Sequence, residues 1–377
     1  MNGNGDNSNG PIRVMVVDDS AVVRGLVTRM LEEDKDITVV ASVGNGQAAV
    51  GALDRHDVEV IILDIEMPVM DGLTALPLLL EKDPKLQIIM ASTLTTKNAE
   101  ISLMALSKGA CDYIPKPSSS RDLSGGTDFR HDLLEKVRGL AEVRRHAGGP
   151  RRTPSKAAPT PLPGRPSLLS PTAPLQFRPA GRDMPDVIAI GSSTGGPQAL
   201  FKMLKDLRAG GELRQPILLT QHMPATFTTI LAEHITRQSG IPAKEATDGE
   251  VIAGGRLYLA PGDYHMVVET QGTQKILRLD HGAPVNFCRP AVDPMFQSIA
   301  RAYGSRVLAV VLTGMGSDGA RGAKVVADGG GTVLAQDEAS SVVWGMPGAT
   351  AQLGICSAVL PLDDIAQRIR KIATGVG

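Results

Sequence analysis

The sequence predicts two α/β units, each a parallel sheet with helices on both faces, joined by a proline-rich linker. Three observations carry this prediction. Short apolar runs alternate with amphipathic stretches from Ile12 to about Arg145, and again from Asp186 towards the C-terminus. Strand–helix repeats of that length imply crossover connections and therefore parallel strands. Between the two blocks, residues 147–183 hold nine of the 26 prolines, six basic residues and one acidic residue, a composition that buries no core. A chain of 377 residues suits two or three domains of about 150 residues each.

In the first unit, Ile12–Val17, Ile37–Val43, Val58–Leu63 and Gln87–Ser92 read as buried strands, and Asp112–Ile114 as a weaker fifth. Amphipathic stretches lie near 21–33, 46–55, 72–82, 98–108 and 131–145. In the second unit, Val187–Ile190, Ile217–Thr220, Arg256–Ala260 and Arg306–Leu312 read as central strands, with Thr332–Ala335 a further one. Helices are expected near 197–207, 226–239, 292–302, 317–328 and 362–373. Two strand-like runs in 264–279 flank Gln271-Gly272, which predicts a β-hairpin. The expected boundaries are a Gly/Asn-rich tail at 1–10, a first domain at 11–135, a helix end and linker at 136–183, and a second domain at 184–374. As a flexible coil the 147–183 stretch spans about 35 Å, and as polyproline II about 115 Å. Either length lets the domains touch and neither requires it.

Composition narrows the function classes. Lys plus Arg is 39 and Asp plus Glu is 40, a net charge of −1, so no global field drives binding to nucleic acid or membranes. Apolar residues at 42% against 21% charged argue against wholesale disorder. Aromatics are only 3%, so the cores must be aliphatic. No apolar run approaches the roughly 18 residues of a membrane span, and MNGNGDNSNG has neither the cationic patch nor the apolar stretch of a secretory leader. Cys111, Cys288 and Cys356 are far apart and odd in number, which fits a reducing cytoplasm without disulfides.

Asp18 and Asp19 follow the first strand and Asp64 ends the third. Ser92 ends the fourth, and Lys116 follows the fifth. In an open parallel sheet these positions gather at the carboxyl edge, where ligands bind. Clustered carboxylates repel one another and invite a hard divalent cation, Mg²⁺ above all. The cation would let a phosphoryl group approach Asp64, with an ammonium and a hydroxyl gripping its oxygens. An Asp-Asp pair after a strand is more often a helix cap, and Asp19 and Ser20 are good caps. The ordered set at successive strand ends weighs against that reading.

In the second unit VIAIGSSTGGPQAL runs from a strand through a Gly-rich turn into a helix. Such a turn can cradle a phosphate or hold a serine hydroxyl up for attack on a carbonyl. It matches neither G-x-G-x-x-G nor a Walker motif. LLTQHMP places His222 past the second strand, and VLTGMGSDGA places Asp318 past a very apolar one. A serine needs a base within reach, and the base needs a carboxylate to fix its tautomer. Ser193, His222 and Asp318 supply these roles from strand ends that can converge. Ser192 and Thr194 remain alternative nucleophiles on spacing alone. Gly314 and Gly316 let the Met315 backbone come close as an oxyanion donor. A lone His after a strand is more often structural, as for His234, His265 and His281. Arg289 and Trp344 are candidate substrate contacts.

The first unit resembles the receiver domain of two-component response regulators through MVVDDS, LDIEMPVMDG, MAST and the KP of YIPKP. The resemblance implies a flavodoxin-like five-stranded parallel sheet and phosphorylation of Asp64. It also implies Mg²⁺ held by Asp19 and Asp64, with help from Asp18 and the Glu66 backbone carbonyl, and switching through Ser92, Lys116 and Tyr113. The second unit resembles the catalytic domain of the chemotaxis protein-glutamate methylesterase family, CheB. The matching stretches are IGSSTGGP, TQHMPATFT, ATDGE, LYLAPGDYHM, FCRPAVDPMF and VLTGMGSDGA. One departure is Ser192, where many members carry Ala.

This second resemblance implies a Rossmann-like α/β domain with Ser193 as nucleophile, His222 as base and Asp318 as its orienter. Thr194 and Met315 would line the site, and the esterase would need no cofactor. The implied substrates are glutamate γ-methyl esters on the cytoplasmic helices of methyl-accepting chemoreceptors, released as methanol, with glutamine deamidation alongside. The implied phosphoryl donor is the chemotaxis histidine kinase. The chain is expected to be cytoplasmic, not membrane-inserted and not bound to nucleic acid. Two rival readings are a non-enzymatic phospho-dependent docking protein and a nucleotide-binding α/β domain. Transcription control lacks a basic recognition helix.

Overall fold

The computed structural model describes residues 10–116, 127–146 and 175–375. The expected tail, Gly10 apart, and the linker as far as residue 174 lie outside the described residues.

Five strands build the first sheet: β1 (Ile12–Val17), β2 (Ile37–Val43), β3 (Val60–Asp64), β4 (Gln87–Ser92) and β5 (Asp112–Pro115). Their order is β2-β1-β3-β4-β5, and every pair is parallel. The helices are α1 (Ala21–Glu32), α2 (Gly46–Ala52), α3 (Gly72–Lys82), α4 (Thr96–Ser107) and α5 (Thr127–His146). The first four start where a short polar side chain can take an orphan N–H. Ser20, Asn45, Asp71 and Thr95 accept from Val23, Ala48, Thr74 and Asn98 respectively. Residue 135 falls inside α5, whose apolar face continues beyond it. Leu133, Val137, Leu140 and Ala141 are all buried against Ile12, Val14 and Ile62.

The second sheet has seven strands in the order β14-β13-β12-β6-β7-β9-β8. They are β6 (Val187–Ser192), β7 (Ile217–Gln221), β8 (Ala243–Glu245), β9 (Leu257–Leu259), β12 (Val307–Val311), β13 (Thr332–Gln336) and β14 (Ala358–Leu360). All its pairs are parallel. The expected hairpin is β10 (His265–Gln271) and β11 (Gln274–Asp280). Helices α6 (Gly196–Ala209), α7 (Phe227–Ser239), α8 (Val292–Tyr303), α9 (Ala320–Asp328), α10 (Met346–Gln352) and α11 (Leu362–Thr374) cover the faces. Strands β8 and β14 and helix α10 were not expected. Three residues are too few to show alternation, and MPGATAQ carries turn-forming rather than periodic residues. Leu175 packs against this unit's core, and the Arg178 N–H donates to the Cys356 carbonyl at 2.9 Å.

The strand order reverses beside β6: the chain leaves it for β7 on one side and returns to β12 on the other. Open α/β sheets bind ligands in the crevice at such a point.

The two units touch. The Tyr113 ring stacks on Phe227, centroids 4.5 Å apart and planes 11° from parallel, a contact worth about 1 kcal/mol beyond its buried area. The Gln198 amide donates to the Ala110 carbonyl at 2.9 Å and to that of Leu106 at 3.3 Å. Helix α4 lies against α6 and α7. No helix among the described residues is long and apolar enough to cross a membrane.

Candidate active site

The first sheet brings its acidic residues together at the carboxyl edge. Carboxylate oxygens of Asp18, Asp19 and Asp64 lie within 4.8 Å of one another. The Lys116 ammonium bridges two of them, 2.7 Å from Asp18 Oδ2 and 2.7 Å from Asp64 Oδ2. Burial pushes the Asp64 carboxyl up to about 6, against the pull of Lys116 and with a further push from Asp18. Three hard carboxylate donors, the desolvated Asp64 among them, fit a divalent cation of the Mg²⁺ kind. Glu66 turns its side chain outward to Lys97, at 3.1 Å. Ser92 is fully buried and accepts from the Ser102 hydroxyl at 3.2 Å. Tyr113 points away from the acidic edge into the interface, with the Lys136 ammonium 5.3 Å from its ring centre.

In the second sheet three adjacent strands, β12, β6 and β7, are followed by Asp318, Ser193 and His222; Ser193 and His222 line one cleft, and Asp318 is buried against His222. Ser193 begins the turn into α6. Gly195 takes φ +74°, and a Cβ there would meet Val342 at 2.5 Å. Gly314 lies so close that a Cβ on it would meet the Ser193 Cβ at 2.8 Å. That approach brings the β12 loop to the serine, and among the described residues the Met315 N–H donates to no partner. Gln221, at the end of β7, steadies the turn. Its carbonyl accepts from the Ser192 hydroxyl at 2.7 Å and its amide donates to the Ser193 carbonyl at 2.9 Å. Ser192 is fully buried and so occupied, whereas Ser193 is partly open.

His222 Nε2 lies 2.7 Å from Asp318 Oδ2. Asp318 is buried and also accepts from the N–H groups of Val292, at 2.5 Å, and Asp293, at 3.1 Å. Burial raises its carboxyl, but His222 and these donors outweigh that and hold it below the usual carboxylate range. Burial also lowers His222, yet the neighbouring Cys288 sulfur and the Asp318 carboxylate carry the net shift well above the ordinary imidazole value. The other ring nitrogen, Nδ1, faces Cys288 Sγ at 3.4 Å. Among the described residues no hydrogen bond joins Ser193 to His222, although both line the same cleft.

That cleft holds about 440 Å³ and is walled by both units. Tyr113, His131, Asp132 and Lys136 face Ser193, His222, Phe287 and Met315 across it. The Thr194 hydroxyl donates to Asp112 of β5, and a Cβ at Gly139 of α5 would meet Met315 Cε at 2.9 Å. Arg289 lines the cleft, but its guanidinium is engaged by Asp263 at 2.6 Å and the Gly282 carbonyl at 2.7 Å. Trp344 lies outside it and donates to the Gln336 carbonyl at 3.0 Å. The sequence reading missed Gln221, Asp112, Asn286, Cys288 and Asp293. Gln221 directly precedes His222 and was the most accessible, since it ends a strand beside the serine turn.

Residues 14–125 match the response regulator receiver domain, and residues 188–369 match the CheB methylesterase domain. The chain is 65% identical to protein-glutamate methylesterase/protein-glutamine glutaminase 1 of Rhodospirillum rubrum, over 97% of this chain and 96% of that one. It is 63% identical to the protein of the same name in Paramagnetospirillum magneticum, over 96% of each. Among solved structures, the Thermotoga maritima CheB methylesterase catalytic domain is 39% identical. It covers 50% of this chain and 98% of its own, with a TM-score of 0.48. With a receiver match, a methylesterase match and relatives similar along nearly its whole length, this chain belongs to the CheB family of protein-glutamate methylesterases/protein-glutamine glutaminases.

Proposed function

We propose that this hydrolase removes γ-methyl esters from glutamates on the cytoplasmic helices of chemoreceptors, and deamidates glutamines there, through Ser193, His222 and Asp318. The observation that supports the reading is that Ser193 and His222, from neighbouring strand ends, line one cleft, with His222 bonded to the buried Asp318 from the next strand but one. The Ser193 Oγ attacks the ester carbonyl and its proton passes to the imidazole. Asp318 holds Nε2, so Nδ1 accepts it, exchanging its contact with the Cys288 sulfur for the serine hydroxyl. The tetrahedral oxyanion is met by the Met315 N–H. Collapse expels methanol, which takes the proton from His222. Water then attacks the glutamyl-enzyme with His222 again as base, freeing glutamate and Ser193. With glutamine the leaving group is ammonia.

The receiver unit regulates this site by covering it. Asp112, Tyr113 and α5 form one wall of the cleft. Asp18, Asp19 and Asp64, with the Glu66 backbone carbonyl, would hold Mg²⁺, and the bound cation would supply the positive charge that lets a phosphoryl group approach Asp64. Lys116, already between Asp18 and Asp64, binds a phosphoryl oxygen. It lies on the same stretch as Asp112 and Tyr113, so pulling on Lys116 disturbs the contacts that cover the cleft. The folded receiver unit extends to His146 at the end of α5. The phosphoryl donor is a chemotaxis histidine kinase, and the protein works in the cytoplasm.

The test is methanol release from methyl-labelled chemoreceptor membranes. Ser193→Ala should lower the rate by four to six orders of magnitude, as in other triads. Near-wild-type release by Ser193→Ala would sink the assignment.

A further inference from the structure

The turn from Val285 to Cys288 puts two successive non-glycine residues with positive φ on the wall of the cleft. Val285 and Cys288 exchange both backbone hydrogen bonds, at 3.0 and 2.9 Å. The two residues between them, Asn286 and Phe287, take φ +52° and +63°. This is a two-residue hairpin turn of the kind that favours Asn then Gly, but with phenylalanine in the second place. A bulky side chain in the left-handed region costs energy and persists where the surroundings fix it.

The turn grips the base and its carboxylate together. The Asn286 Nδ2 donates to Asp318 Oδ1 at 2.9 Å and to Asp293 Oδ2 at 3.2 Å. Asp293 is itself buried, and the Gly322 N–H donates to its other oxygen at 2.7 Å. At the far end of the same turn Cys288 Sγ touches His222 Nδ1. One amide therefore separates two buried carboxylates that would otherwise repel each other, and it closes the solvent side of the one that orients His222.

We propose that Asn286 is a positioning residue for the hydrolysis, holding Asp318 in register with His222. This rests on the reading of Ser193, His222 and Asp318 given above. Asn286 touches no reacting atom and acts through the carboxylate. Without that amide Asp318 keeps its backbone donors from Val292 and Asp293, but Oδ1 loses one of its two donors and the alignment with Nε2 loosens, so the proton transfer at His222 slows while substrate binding is unaffected.

The experiment uses full-length enzyme with Asn286→Gly and Asn286→Asp, with Ser193→Ala alongside. Glycine accepts the left-handed backbone without strain, so Asn286→Gly removes the amide and keeps the turn. Aspartate is isosteric but donates nothing and adds a charge beside Asp318. Asn286→Gly should lower kcat about tenfold with KM unchanged and melting temperature within a few degrees of wild type. Asn286→Asp should lower kcat further and move the acid limb of the pH profile upward, because added negative charge favours the protonated imidazole. Wild-type kcat and pH profile in both variants would overturn the proposal, provided Ser193→Ala is inactive. If Ser193→Ala is active, the triad itself is wrong and the role of Asn286 falls with it.

Discussion

His222 sits where two opposed influences meet. Burial disfavours its charge, and Asp318 with the Cys288 sulfur restores and exceeds it. In the mechanism proposed above the base must be neutral to take the serine proton, so a raised imidazole value delays activity as pH rises from the acid side. Replacing Asp318 by Asn removes the carboxylate that raises it. The acid limb of kcat should then move to lower pH, while the plateau falls roughly ten-thousandfold because the tautomer is no longer held. A pH–rate series on Asp318→Asn checks both signs. Each of these residue types was legible in the sequence, since Ser, His and Asp stood just past apolar runs. The partners that hold them were not. Asn286 and Cys288 reach the site from a turn between the β-hairpin and α8, and nothing in a one-dimensional pattern shows that this turn folds back over Asp318.

At the level of elements, the close approach of the β12 loop to the α6 turn decides where Ser193 points. Gly314 makes it possible. A methyl there would lie 2.8 Å from the Ser193 Cβ and 2.4 Å from Met346 Sδ. Gly314→Ala should therefore cost about 1–3 kcal/mol of stability by overpacking and lower activity about a hundredfold through displacement of Ser193, the proposed nucleophile. Denaturant melts and methanol release on the same preparation check it. Strand–helix alternation placed nearly all of the longer elements, because both sheets bury their central strands on both faces and read as continuous apolar runs. The short edge strands β8 and β14 carry too few residues for a period, and α10 begins in Gly345-Met346-Pro347, which reads as a turn. The closing of α5 onto the first unit was visible as an amphipathic stretch, but its contact with Met315 was not, because Gly139 offers no side chain to signal it.

Across the whole molecule the receiver stands over the hydrolase cleft. The linker composition allowed this without requiring it; the stacked Tyr113–Phe227 pair and the Thr194–Asp112 bond are what define the arrangement. A tethered cover works at high effective concentration, so modest contacts suffice. Deleting residues 1–146 should raise basal esterase activity about tenfold or more. A small-molecule phosphodonor should activate the full chain, and chelation of Mg²⁺ should abolish that rise without lowering the basal rate. An unchanged rate on deletion would show that the receiver does not act by covering the site. The most direct measurement is to quench the enzyme in acid during turnover of a methylated receptor peptide and locate the acyl group by mass spectrometry. A glutamyl adduct on the Ser193 hydroxyl is the expected result; an adduct on Ser192, Thr194 or Cys288 would contradict it.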